Sequence, residues 1–132
     1  MRRRWWVIGA VVLVVVVGGV LFLLLRTTEE DRVEDVADRF VTAVDTQDQR
    51  TMVELLCASE AAAVTGDDDY DPAYDGYTSG FARARSLDDV RISGDAASVR
   101  LTRPDQEAST LYLLRENGVW KVCASAQGKL VR

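Results

Sequence analysis

"STLYLLRENGVWKVCAS", residues 109–125, alternates side-chain character on either side of Asn117-Gly118. Both central positions of a two-residue hairpin turn need positive φ, which Asn and Gly adopt most readily, so the pair predicts a β-hairpin. The turn length then sets the register: Leu113 opposite Val122, Arg115 opposite Trp120, and Tyr112 opposite Cys123. Leu111, Leu113, Trp120 and Val122 share one face, which assigns Trp120 to the core rather than to a ligand platform. Tyr112, Leu114 and Cys123 share the other face.

Upstream, "DDVRIS" (88–93) and "ASVRLTR" (97–103) alternate in the same way around "GDA" (94–96). Setting Val90 opposite Val99 places Asp89 opposite Arg100, a cross-strand pair of opposite charge. Helices are expected before these strands. Val33, Val36, Ala37, Phe40, Val41 and Val44 follow the i, i+3, i+4, i+7 spacing of an amphipathic helix, with Thr27 and Glu30 as a capping box. A second helix is expected over 48–65, with Thr51 and Glu54 as its capping box and Cys57 facing inward. Residues 66–80, "GDDDYDPAYDGYTSG", hold three glycines and a proline without helical period and read as a loop. Helices followed by an antiparallel sheet give an α+β fold class.

The compartment is read from the other end of the chain. Residues 5–25, "WWVIGAVVLVVVVGGVLFLLL", run for 21 positions without a charge. At ~1.5 Å rise per residue this helix is about 30 Å long, the thickness of a bilayer core. The run is longer than a signal-peptide core and no small-residue cleavage pattern follows it, so an uncleaved signal-anchor is expected. Trp5 and Trp6 suit the membrane interface, and the glycines form no G-x-x-x-G pair for helix dimerisation. Arg2, Arg3 and Arg4 precede the span while acids follow it, so the positive-inside rule keeps residues 1–4 cytoplasmic and residues 26–132 outside. With those three arginines set aside, 13 basic residues face 21 acids, a net charge of −8. Such a surface argues against nucleic acid as a partner.

The order of helices, loop and hairpins ending in "ENGVWKVCAS" resembles the nuclear transport factor 2-like superfamily of cone-shaped α+β domains. More narrowly it is similar to the actinobacterial membrane-anchored and secreted branch, Mce-associated proteins among them. The likeness rests on "VADRFVTAVDTQDQRTMVELLCAS", "DDVRISGDAASVRL" and "YLLRENGVWKVCAS". It implies N-terminal helices packed on a curved antiparallel sheet, with a pocket that is catalytic in some members and a binding or dimerisation surface in others.

The chain contains no histidine, which removes Ser-His and Cys-His nucleophile activation and most zinc sites. Its acids cluster where solvent is expected, so no catalytic residue and no cofactor are assigned. The loop acids Asp67, Asp69, Asp71 and Asp75 do not fit EF-hand spacing, leaving at most a weak divalent-cation site. Tyr70, Tyr74, Tyr77 and Phe81 interleave with them, either as a ligand- or partner-contacting loop or as aromatics packed on the core. Cys57 and Cys123 are the only cysteines. Outside the cytoplasm they most simply form one disulfide, intermolecular pairing and free thiols being the alternatives. That bond would set the Tyr112 and Leu114 face against the second helix.

The expected function is a non-enzymatic binding or assembly module of the cell envelope, held at the cell membrane by one span. An envelope protein or a second copy docked through a sheet face is its expected partner. A small-ligand or lipid-binding pocket accessory to an envelope transporter is the first alternative and needs an apolar cavity between helices and sheet. An enzyme with a buried carboxylate beside Tyr112 or an arginine is the second.

Overall fold

The computed structural model describes the backbone of residues 2–73, 83 and 85–130, and their side chains apart from 2–6, 26 and 27. The chain divides into two compact units, Met1–Asp31 and Arg32–Arg132. Helix α1 (Arg2–Thr46) contributes to both. Its helical assignment runs through Thr27 and Glu30, so the expected capping box does not start a helix there.

In the first unit one helix is long and apolar enough to cross a membrane, with a mean hydropathy of 3.2 in its best window. The large apolar side chains from Val7 to Leu25 are each more than half exposed, so the unit leaves them without protein cover.

The second unit is an α+β layer structure. Four antiparallel strands, β1 (Ser86–Ser93), β2 (Ala96–Thr102), β3 (Ser109–Glu116) and β4 (Val119–Val122), form an open sheet in the order β1-β2-β3-β4. The last hairpin has the expected register, Leu113 opposite Val122 and Arg115 opposite Trp120, and Cys123 N–H donates to the Tyr112 carbonyl at 2.8 Å. Asn117 and Gly118 sit at φ 50° and 79°, the left-handed pair that this turn requires.

The first hairpin departs from expectation past Arg91. Arg91 pairs with Ser98, but Asp88 rather than Asp89 stands opposite Arg100. Asp89 and Val90 together oppose Val99, a β-bulge, with Asp89 at φ 50°. Alternation alone cannot reveal this extra residue, because an Asp-Asp pair reads equally well in either register. Asp89 accepts instead from Arg91, two residues along the same strand, at 3.1 and 3.0 Å.

One face of the sheet packs on α1: Val33 and Ala37 meet Val99, Leu113, Trp120 and Val122, all buried, with Val36 and Phe40 at the margin. Val44, expected in this stripe, is 40 % exposed, and the stripe ends on the buried Ala43. The final turn of α1 gives its other side, Thr42 and Asp45, to arginines described below. The chain then leaves α1 through Gln47 at φ 58°, with Asp48 N–H donating to Ala43 O (2.9 Å) and Gln47 N–H to Val44 O (3.3 Å), the two bonds of a Schellman motif.

The expected second helix is two helices, α2 (Gln49–Leu55) and α3 (Ala58–Thr65). Asp48 caps α2, accepting from Thr51 N–H and from Thr51 Oγ1, so the cap lies one turn before the Thr51/Glu54 box. Leu56 and Cys57 are extended: Leu56 bridges Val122 in parallel, and Cys57 N–H donates to Val122 O at 2.9 Å. The hydrogen bond offered by the edge of β4 competes successfully with helix continuation. Cys57 is fully buried, but this extended step delivers it rather than a helix face.

The second face of the sheet is covered at one end by a 3-10 turn (Ala124–Ala126) and α4 (Gln127–Leu130). Ala126 and Leu130 pack with Ala96, Tyr112, Leu114 and the two cysteines. The Tyr112 and Leu114 face therefore meets Cys57, within the span of the expected second helix, together with the C-terminal turns. Short apolar spacing in "ASAQGKL" gives no period from which these turns could be foreseen.

Candidate functional site

Three groups of residues bear on function: the cysteine junction, the acidic loop, and a carboxylate enclosed by arginines.

Cys57 and Cys123 are disulfide-bonded, with Cα atoms 5.3 Å apart and 66 residues between them in sequence. The two "CAS" triplets that contain them behave alike. Each cysteine is the N-cap residue of a helical turn, and each sulfur lies against the hydroxyl two residues on, Ser59 at 3.5 Å and Ser125 at 3.2 Å. Neither cap supplies a side-chain acceptor. Carboxylates from across the junction do so: Ala58 N–H donates to Glu116 Oε2 at 3.1 Å, and Ala124 N–H to Glu60 Oε1 at 2.6 Å. Negative charge at both helix starts is favourable. Lys121 Nζ donates to the Glu54 carbonyl and adds a further tie between β4 and the end of α2. Glu60 and the two sulfurs lie within 4.8 Å of one another, a metal-like grouping, but the sulfurs are bonded to each other and are not thiolate ligands.

Asp67, Asp69 and Asp71 are exposed. Asp67 Oδ1 accepts from Asp69 N–H and Asp71 Oδ1 from Ala73 N–H, local turns that occupy one oxygen each. Among the described residues Asp67, Asp69 and Asp71 do not form a group of potential metal ligands. Tyr70 is half-buried, its N–H donating to Asp67 O. Tyr74, Asp75, Tyr77 and Phe81 lie outside the described residues.

Asp45, near the end of α1, has a side chain with no exposure, although its backbone is open. Arg103, just past β2 and 9 % exposed, donates to both oxygens at 2.7 and 3.1 Å. Arg83 donates through its backbone N–H at 3.0 Å and its guanidinium at 3.2 and 3.3 Å, and Arg85 approaches to 4.0 Å. Arg85 itself is held by Asp38 Oδ1 and Thr42 Oγ1, both at 2.6 Å. Burial pushes the Asp45 carboxyl up, but the hydrogen bonds from Arg103 and Arg83 outweigh it and hold the carboxyl below its ordinary value. A carboxylate so saturated and so acidic is a poor proton acceptor at neutral pH. Its geometry suits a clamp that ties the end of α1 to the segment entering β1 and to the end of β2.

Two arginines, Arg83 and Arg85, do not mark a binding patch in the sequence, and Arg103 stands apart from them. Asp38, Thr42 and Asp45 at i, i+4, i+7 were the available signal, a polar stripe beside the apolar one. No protein-family model, curated protein or solved structure matches this chain.

Proposed function

We propose that the chain is a single-pass membrane protein whose second unit lies outside the cytoplasm and acts as a non-enzymatic binding or assembly module of the cell envelope, built as a nuclear transport factor 2-like domain. The observation that carries this reading is the charge-free run of residues 5–25, whose large side chains from Val7 onward have no protein cover while the second unit closes its own core. The buried disulfide is consistent with an oxidising compartment. Asp45, a carboxylate enclosed beside arginines, supports a structural rather than a catalytic use because guanidinium donors occupy both of its oxygens. Val33, Ala37, Val99, Leu113 and Trp120 fill the space between α1 and the sheet, which weighs against a lipid cavity there.

Photo-crosslinking of the full chain in native membranes, followed by mass spectrometry, tests the reading. Envelope proteins crosslinked to surface positions of 32–130, and absent from a control carrying residues 1–31 alone, are the expected result. Adducts confined to lipid would contradict it.

A further inference from the structure

Among the described residues, the sheet face turned away from α1 is covered only at one end. Beyond Leu130 it forms an open groove of about 430 Å³, within the range of small-ligand sites. The strand register builds its floor. Ser98 stands between Arg91 and Tyr112, and Arg100 between Asp88 and Thr110, in two adjacent rows across β1, β2 and β3.

The chemistry of the floor is one-sided. Among the described residues, no protein group hydrogen-bonds the hydroxyls of Ser98, Thr110 and Tyr112 or the guanidinium of Arg100, and all four side chains line the groove. Three hydroxyls can donate, and the guanidinium presents a planar fork of donors that fits a carboxylate or phosphate. Arg91 adds a second guanidinium at the rim, already paired to Asp89. Leu130 and the ring of Tyr112 supply apolar wall, whereas the Ile92 side chain packs on the α1 side of the sheet. Asp89 offsets Arg91, so the lining keeps the positive charge of Arg100, whereas residues 26–132 together carry a net charge of −8.

We propose that this groove binds a small organic oxyanion, its carboxylate or phosphate held by Arg100 with Ser98, Thr110 and Tyr112, and its apolar body against Leu130. The site gives the binding-module reading a ligand class, and rests on that reading only for its biological use.

Titration of the full chain in neutral-detergent micelles with inorganic phosphate, phenyl phosphate and benzoate, followed by calorimetry and amide shifts, tests it. Saturable binding with shifts at residues 98–100 and 110–112 is expected, tighter for the aromatic probes than for inorganic phosphate. The preferred aromatic probe tells whether the natural group is a phosphate ester or a carboxylate. R100A is expected to weaken binding about tenfold or more, and R100K to restore part of it, because the fork and not the charge alone is used. S98A/T110A, which leaves every charge in place, should also weaken it, and D88N should strengthen it. R50A removes the same charge from α2 and should leave affinity unchanged.

Equal losses in R50A and R100A, shifts elsewhere, or no saturable binding by any probe would overturn the site. So would self-association through this face that no probe displaces, which would assign the face to a second copy. Probe binding without envelope-protein crosslinks would leave the groove standing and remove the assembly role.

Discussion

Asp45 sits where a negative charge is least welcome to a helix, one residue before the end of α1, and its side chain is fully enclosed. Arg103 and Arg83 reverse that penalty. D45N is therefore expected to destabilise the second unit by about 3 kcal/mol, since it leaves the nearly buried Arg103 without its charge partner. D38N, at a carboxylate 53 % exposed, should cost less than about 1 kcal/mol. Denaturant midpoints of the full chain in micelles check both. Because the folded Asp45 carboxyl lies below its ordinary value, its stabilisation is complete above the ordinary aspartate range, ~4, and is lost as pH falls through the folded value. Wild type should lose stability on that acid limb, and D45N should show a flatter one. The polar stripe of Asp38, Thr42 and Asp45 can be read from the sequence, but what encloses it cannot, because the partners of Asp45 lie 38 and 58 residues away. Asn117-Gly118 was legible because its two positive φ angles are demanded by neighbours in sequence.

Among the elements, the break between α2 and α3 shows how a tertiary bond overrides a local pattern. "ELLCASEAAA" contains neither glycine nor proline and is mostly alanine, leucine and glutamate, strong helix formers. The parallel bridge of Leu56 to Val122 and the disulfide beside it hold an extended step there instead. Inward burial of Cys57 was foreseen, whereas its mode of delivery depends on an edge strand more than 60 residues away. C57S/C123S is expected to lower stability by roughly 4 kcal/mol in the chain-entropy picture, read as a denaturant midpoint shift. Retention of the wild-type midpoint would mean that the junction is held without the bond. The Schellman turn after α1 has glutamine in the left-handed position, so Q47G should stabilise the unit by about 0.5–1 kcal/mol. Equal or lower stability in thermal unfolding would speak against that backbone conformation. The bulge at Asp89-Val90 was hidden for a different reason, since two adjacent aspartates leave the strand period unbroken in either register.

For the molecule as a whole, the sequence already separates an apolar stretch from an α+β unit, because both signals are periodic or continuous over many residues. What it did not separate were the two coverings of the sheet. Residues 124–130 close one end of the outer face, and among the described residues the rest of that face is open as the proposed oxyanion groove. The proposed topology is one anchor, with the disulfide-bonded unit on the non-cytoplasmic side. Its most direct test is a maleimide-polymer gel shift on the full chain, denatured straight from cell membranes that have survived an alkaline wash. The account expects no adduct before reduction and two adducts afterwards, one on each of Cys57 and Cys123. Two adducts on unreduced, membrane-bound protein would contradict it.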